Sequence, residues 1–313
     1  MSSTPTDGSI PVSPSAELPF VAAPPGALEG VTRSAEQAAA HWGFAAPQLL
    51  RMGMNGIFRA GDGVLLRVGR PSAPAQHAIA LADALTQSGI RVPAYLRDEP
   101  FLSDEHAVFA IAAIEETGPI DWKAVGAMIS RLHRIDRNDL PVGYPVPFCG
   151  DFPWWNFASL ISEVGDQLDG ASRAPIDSAI ARSMPLLVEQ RGGALVVCHG
   201  DVHPGNVIQS ATGPVLLDWD LLCRGPAAWD HAPLMTWTQR WRGEAGIYES
   251  FAEGIGQSLR ADPLAEAVAE LRLVAATLMR VRAGRSNPAA AEEAALRLRY
   301  WRGEPNAPQW TAQ

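Results

Sequence analysis

Two short apolar runs with acidic ends constrain this 313-residue chain more than anything else in it. Leu195, Val196, Val197 and Cys198 run into His199-Gly200-Asp201. Val215, Leu216 and Leu217 run into Asp218-Trp219-Asp220, and between the runs lies a polar turn with Pro204, Gly205 and Asn206. Apolar runs of this length, rich in valine and bounded by turn residues, predict two short strands. Their ends then deliver carboxylates and an amide to one place. Oxygen ligands of that kind suit a hard cation such as Mg²⁺. A carboxylate so placed also suits the work of orienting or deprotonating a hydroxyl.

The order His199-Gly200-Asp201-Val202-His203-Pro204-Gly205-Asn206, followed by Leu217-Asp218-Trp219-Asp220, resembles the signature of the aminoglycoside phosphotransferase family. These are small-molecule kinases with a protein-kinase-like fold. Asp201 and Asn206 stand five apart, as the Asp and Asn of the kinase catalytic loop do. Asp218 takes the place of the metal-binding Asp of D-F-G, with Trp219 where kinases have Phe. The resemblance runs from about Thr32 to about Gly256 and is sharp only in this stretch. It implies an α+β, two-lobed architecture, with a small antiparallel-sheet lobe over residues 31–115 and a larger, mostly helical lobe over 116–313. It also implies ATP or GTP and Mg²⁺ as cofactors, and the hydroxyl of a small molecule as acceptor.

Carried onto this chain, the resemblance makes Asp201 the residue that orients the acceptor and takes its proton. Asn206 and Asp218 would hold Mg²⁺ and through it the nucleotide. His199 would brace the loop, with His203 and Asp220 nearby. Asp230, early in the next helix, would accept backbone N–H bonds from the loop. Kinases place a phosphate-binding Lys on a strand that here reads Gly63-Val64-Leu65-Leu66-Arg67-Val68. The only lysine of the chain is Lys123, far downstream, so Arg67 is assigned the contact with the α- and β-phosphates, which its planar fork can make. The Glu that usually pairs with that Lys is missing. The helix expected over Ala75–Ser88, ended by Gly89, puts Ala78 there, with His77 beside it and Asp83 facing solvent.

Residues 1–30 are rich in Pro, Ser, Ala and Gly and read as a disordered tail without the basic start of a secretory signal. A helix is expected over Thr32–His41, capped by Thr32 or Ser34. Gln48–Arg59 and Gly63–Val68 read as two strands joined at Gly61-Asp62-Gly63. Met52-Gly53-Met54-Asn55-Gly56 lies where a kinase loop covers phosphates, although Gly53 and Gly56 would equally permit a bulge. Val92–Arg97 and Ala107–Ile114 would be strands, and Glu115-Glu116-Thr117-Gly118 the hinge between lobes. Helices are expected over Ile120–Ile135 (Asp121 at its start, His133 structural), Ile176–Gln190, Met235–Leu259, Ala265–Arg280 and Pro288–Trp301. Phe152-Pro153-Trp154-Trp155-Asn156-Phe157 reads as packing between helices or the wall of an acceptor pocket.

A net charge of −9 argues against nucleic acid as the partner, and no apolar run reaches the length of a membrane span. Cys149, Cys198 and Cys223 form no CxxC pair or zinc signature, which fits a reduced cytoplasmic setting. No obligate protein partner is evident. Glu163, Glu244, Glu249 and Glu253 are candidates to meet an aminoglycoside-like or amino-sugar acceptor. Relatives of the fold also phosphorylate choline, homoserine, hexosamines and macrolides, so fold alone does not choose. Two rival functions stand beside the kinase. One is a nucleotide-binding pseudokinase, because the Lys–Glu pair is lost. The other is a metallohydrolase using His199, Asp201, His203, Asp218, Asp220 and His231 as ligands.

Overall fold

The computed structural model describes residues 24–103 and 105–311. The expected tail therefore lies mostly outside the described residues. Where the chain becomes describable it enters a helix earlier than expected: α1 spans Leu28–Trp42. Neither Thr32 nor Ser34 caps it. Ser34 is buried inside the helix, with its hydroxyl 2.8 Å from Nδ1 of His106.

Five strands form one antiparallel sheet: β1 (Gln48–Met52), β2 (Gly56–Arg59), β3 (Val64–Gly69), β4 (Phe101–Leu102) and β5 (Ala107–Ala112), in the order β1-β2-β3-β5-β4. The single strand expected over Gln48–Arg59 is a hairpin, turned at residues 53–55. The irregularity in its ladder falls at Leu49/Arg51, not at a glycine. Gly56 has another reason to be glycine: a Cβ there would lie 2.7 Å from Val31 of α1. The strand expected over Val92–Arg97 is reduced to one bridge, Tyr95 to Ile111, and the sheet takes Phe101–Leu102 instead. Pro93 removes a ladder donor from the expected strand.

Alternation along β3 positions the first functional side chain. Leu66 and Val68 face α1 and pack with Val31, Ala35, Ala38, Phe58 and Val108. With a period of two, Arg67 must point to the opposite face. That face carries α2 (Ala75–Gln87), whose end at Gly89 has φ +75° as a left-handed cap requires. Residues 115–118 follow β5 as an extended connection, and Thr117 N donates to Gln209 O at 2.9 Å.

The second lobe holds the larger core. Its helices are α3 (Trp122–Leu132), α4 (Phe157–Val164), α5 (Gly170–Glu189), α6 (Ala228–Arg240), α7 (Ile247–Ile255), α8 (Pro263–Gly284) and α9 (Pro288–Trp301). Asp121 caps α3 by accepting from Ala124 N. The helix expected over Met235–Leu259 is broken into α6 and α7. Gly243 fits the break because a Cβ there would meet the Trp237 ring at 2.1 Å, and Gly246 adopts φ +82°. Phe152, Trp155 and Phe157 are buried in this core, Trp155 against Trp229 at 4.6 Å, so they are helix packing. Four short strands sit on top: β6 (Val196–Cys198) paired with β9 (Cys223–Gly225), and β7 (Val207–Ser210) paired with β8 (Gly213–Leu216). No helix among the described residues is long and apolar enough to cross a membrane.

Candidate active site

The loop between β6 and β7 is fixed from below by one buried carboxylate. Asp230, at the start of α6, is fully buried. Its Oδ2 accepts from His199 N at 3.0 Å, and its Oδ1 accepts from Gly200 N at 2.8 Å. His133 of α3 adds a third contact, Nε2 to Oδ2 at 3.0 Å. Burial acts against the Asp230 charge, but His133, His199 and the Gly200 N–H hold the carboxyl below its ordinary pKa. Gly200 has φ +92°, and a Cβ on it would come within 2.2 Å of Leu221 O, so no other residue fits this turn.

His199 joins this loop to the strand end beside it. Its Nδ1 accepts from Asp201 N at 3.2 Å, which makes Nε2 the protonated nitrogen donating to Leu217 O at 2.9 Å. The ring is buried, its pKa lowered by that burial, and lies 4.5 Å from the Trp219 ring. A neutral brace between the two acidic segments results.

Asp201 stands over the brace. Asn206 Nδ2 donates to its backbone O at 3.0 Å and to Oδ2 at 3.3 Å. With the amide nitrogen so engaged, Asn206 Oδ1 is left as an oxygen ligand. His203 Nε2 lies 3.3 Å from Asp201 Oδ2, while His203 Nδ1 accepts from Gly205 N and its ring stacks on Trp237 at 5.0 Å. Arg272 of α8 holds the other carboxylate oxygen: Nη2 donates to Oδ1 at 2.5 Å, and Nη1 donates to Gly200 O at 2.9 Å. Burial works against the Asp201 charge, but His203 and Arg272 keep the carboxyl well below the usual carboxylate range. Arg272 went unnoticed in the sequence. The signal was an arginine within the mostly apolar run Leu271–Met279 of a helix, where a charge needs a partner.

Asp218 and Asp220 come from the other strand end. Asp218 has φ +58°, a left-handed conformation uncommon outside glycine that turns its carboxylate out of the chain's path. Burial first and Asp220 second push its carboxyl up to about 6, against the opposing effect of Arg67. The Asp218 carboxylate and the free oxygen of Asn206 are oxygen ligands of the kind that suits a small divalent cation.

Across the cleft, Arg67 answers from the first lobe. Its Nη2 donates to Asp220 Oδ2 at 2.5 Å and lies 3.6 Å from Asp218 Oδ1. Burial opposes its charge, yet Asp220 and Asp218 raise its pKa above the ordinary arginine value. Ala78 lines the same cleft as Arg67, Asn55, Gly69, Tyr144 and Asp220. The carboxylate that kinases carry on this helix, absent here as expected from Ala78, has its counterpart in Asp220 of the opposite lobe. Asp83 is exposed on α2 as expected.

His231 is not part of this constellation. It is buried, 3.2 Å from the hydroxyl of Tyr248. Among the described residues, the one trio of His, Cys, Asp or Glu with ligand atoms within 4.8 Å of one another is His133, Cys198 and Asp230. Of these, only Asp230 was singled out as a site residue, and it belongs to the loop support. The hydrolase alternative loses its ligand set.

Known proteins agree with this geometry at the level of fold. Spectinomycin phosphotransferase, solved with ADP and spectinomycin, is 16% identical over 84% of this chain and 91% of its own, with a TM-score of 0.62. The enzyme APH(2")-IIia, solved with GDP and kanamycin, is 15% identical over 83% and 94%, with a TM-score of 0.63. A choline/ethanolamine kinase family protein from Mesorhizobium loti is 17% identical over 87% and 96%, with a TM-score of 0.60. No curated protein sequence matches the chain. The model of one family matches residues 57–271, from β2 through the sheet, the catalytic-loop stretch and into α8: the chain belongs to the phosphotransferase enzyme family.

Proposed function

We propose that this phosphotransferase is an Mg²⁺-dependent kinase that moves the γ-phosphoryl group of ATP or GTP to a hydroxyl of a small molecule. The observation that carries the reading is the convergence of Asp201, Asp220 and Arg67 on Asp218, from two strand ends and the opposite lobe. Asp201 and Asn206 are hydrogen-bonded on one loop, and Asp218 and Asp220 stand on the neighbouring strand end. Arg67 reaches Asp220 from the opposite lobe. Phosphoryl transfer asks mainly for positioning and charge neutralisation, and this set supplies both.

In this mechanism Asp201 orients the acceptor hydroxyl and receives its proton as the new O–P bond forms. A carboxyl held this far below its ordinary pKa is a weak base, which suits a loose transition state where the proton leaves late. Asn206 Oδ1 and Asp218 would hold Mg²⁺, which neutralises phosphate charge when bound. Arg67 steadies the α- and β-phosphates, kept in place by Asp220. His199 and Asp230 keep the loop rigid, and His203 limits the room around Asp201 Oδ2.

Of the four carboxylates considered for an aminated sugar, Glu249 meets Arg260 at 2.8 Å, Glu163 meets Arg282 at 3.6 Å, and Glu253 meets Lys123. Three of the four are therefore already paired with cations. The reading stays with a hydroxyl-bearing small molecule, of which an amino sugar is one case. Melting with ATP or GTP, with and without Mg²⁺ and beside Zn²⁺ alone, tests the site. Nucleotide at ~100 times its dissociation constant stabilises by about 2.7 kcal/mol. A shift needing nucleotide and Mg²⁺ together is expected, with slow hydrolysis that falls ~10²–10⁴-fold in Asp201→Ala. A shift with no hydrolysis would leave a pseudokinase; a shift with Zn²⁺ alone would overturn the reading.

A further inference from the structure

Resting on that reading, we propose that Arg272 is a positioning residue. It clasps the Asp201 carboxylate by Oδ1 and the Gly200 carbonyl, and so leaves Oδ2 as the oxygen that meets the acceptor hydroxyl. Arg272 stands on α8, outside the catalytic-loop stretch and 71 residues from Asp201. Its two terminal nitrogens serve two acceptors on consecutive residues, Gly200 O at 2.9 Å and Asp201 Oδ1 at 2.5 Å. That fork fixes both the peptide and the carboxylate plane, which a single hydrogen bond cannot do. The guanidinium lies 5.6 Å from the Trp229 ring centroid, and its side chain is 18% exposed. Trp229 immediately precedes Asp230, so the platform under Arg272 and the carboxylate under the loop share one turn of α6.

The alternative use of such an arginine is to bind an anionic acceptor. Both terminal nitrogens are already engaged by the protein, and one of them by the reacting carboxylate itself. Turning to an anion would release Asp201. The geometry therefore assigns Arg272 to the enzyme's own carboxylate. The Oδ2 side is crowded but open to exchange: the Asn206 and His203 contacts there are each 3.3 Å. A hydroxyl donating to Oδ2 exchanges with these longer contacts, whereas at Oδ1 it would share the oxygen with the short bond from Arg272.

The experiment compares wild type, Arg272→Gln and Arg272→Lys. Basal hydrolysis of ATP and GTP, with water as acceptor, is read beside the melting shift produced by nucleotide and Mg²⁺. Arg272→Gln should lose roughly 10–100-fold in hydrolysis, the scale of an angstrom-level misplacement. It should keep the nucleotide shift, because Arg67, Asn206 and Asp218 are untouched. Arg272→Lys retains the charge and one of the two bonds and should recover a measurable part of the lost rate. Wild-type hydrolysis in Arg272→Gln overturns the inference and leaves the kinase reading intact. So does an equal loss in both variants together with loss of the nucleotide shift, which would mark Arg272 as scaffolding alone. A wild-type protein with neither shift nor hydrolysis removes the kinase reading, and the inference with it.

Discussion

Removing the Asp230 carboxylate should be among the most damaging single changes to the second lobe. Asp230→Ala strips acceptors from the buried His199 N and Gly200 N and from the mostly buried His133 Nε2. Each orphaned backbone N–H costs about 1–3 kcal/mol, and breaking a buried charge pair by removing one partner costs about 3–5 kcal/mol. These overlap, because one carboxylate serves all three donors, and partial water entry relieves some of the loss. The expected total is about 3–5 kcal/mol, read from the urea midpoint at unchanged m-value. A pH series isolates the ion pair. Burial opposes a charged His133, but its hydrogen bonds to Asp230 and Cys198 outweigh it and raise the pKa to about 10. A folded pKa above the unfolded ~6.5 means stabilisation that is complete below ~6.5 and lost as pH rises toward 10. Wild type should therefore weaken over that window, and Asp230→Ala should not. A loss under about 1 kcal/mol, the value of an exposed ion pair, or an unchanged pH dependence in the variant, would refute the account of Asp230 as the support of the loop.

Three further outcomes follow from the same structure. Arg67→Gln and Asp220→Asn should each weaken nucleotide–Mg²⁺ binding roughly tenfold by calorimetry, and the double variant should fall short of the sum, because contacting residues couple. Additive effects would show that the two do not act as a pair. Mg²⁺ dependence of the nucleotide shift should fade as pH drops through about 6, where Asp218 takes up a proton, and equal shifts at pH 5.5 and 8 would contradict this. His231 is held down to about 4, chiefly by burial. Its contribution is present above the unfolded pKa of ~6.5 and lost as pH falls toward 4. With 6.5 − 4 = 2.5, the loss is at most roughly 3 kcal/mol, and it should be absent from the urea curves of His231→Phe.

What the sequence made legible was what lies close together along the chain. The separation of Asp201 and Asn206 is settled inside one turn, so its reading needed no tertiary knowledge. The α9 helix carries its own start in Asn287-Pro288 and its own period, and it appears with the expected bounds. Elements whose identity depends on a distant partner were misread. Residues 92–97 have strand composition, but β5 accepts them at one bridge only. The break between α6 and α7 lies in a largely polar stretch, Arg240–Gly246, where Gly243 is explained once Trp237 is known to fill the space beside it.

The charge network shows the same limit more sharply. One lysine in the chain, and Ala78 on α2, told which kinase ion pair was missing but not what replaced it. The answer lies 153 residues from Arg67, in Asp220. The relocation has a mechanical consequence. An arginine tied to a helix of its own lobe is positioned by that helix. Arg67 is instead tied to the strand end that carries Asp218, so the cation proposed to meet the phosphates and the candidate metal ligand are referenced to each other directly across the cleft. Arg272 does the same for Asp201 from α8. In both cases a rigid fork of donors converts separate elements into one fixed constellation. On the proposed function, the two arginines together would supply the electrostatic frame for phosphoryl transfer in a chain whose single lysine lies outside the cleft.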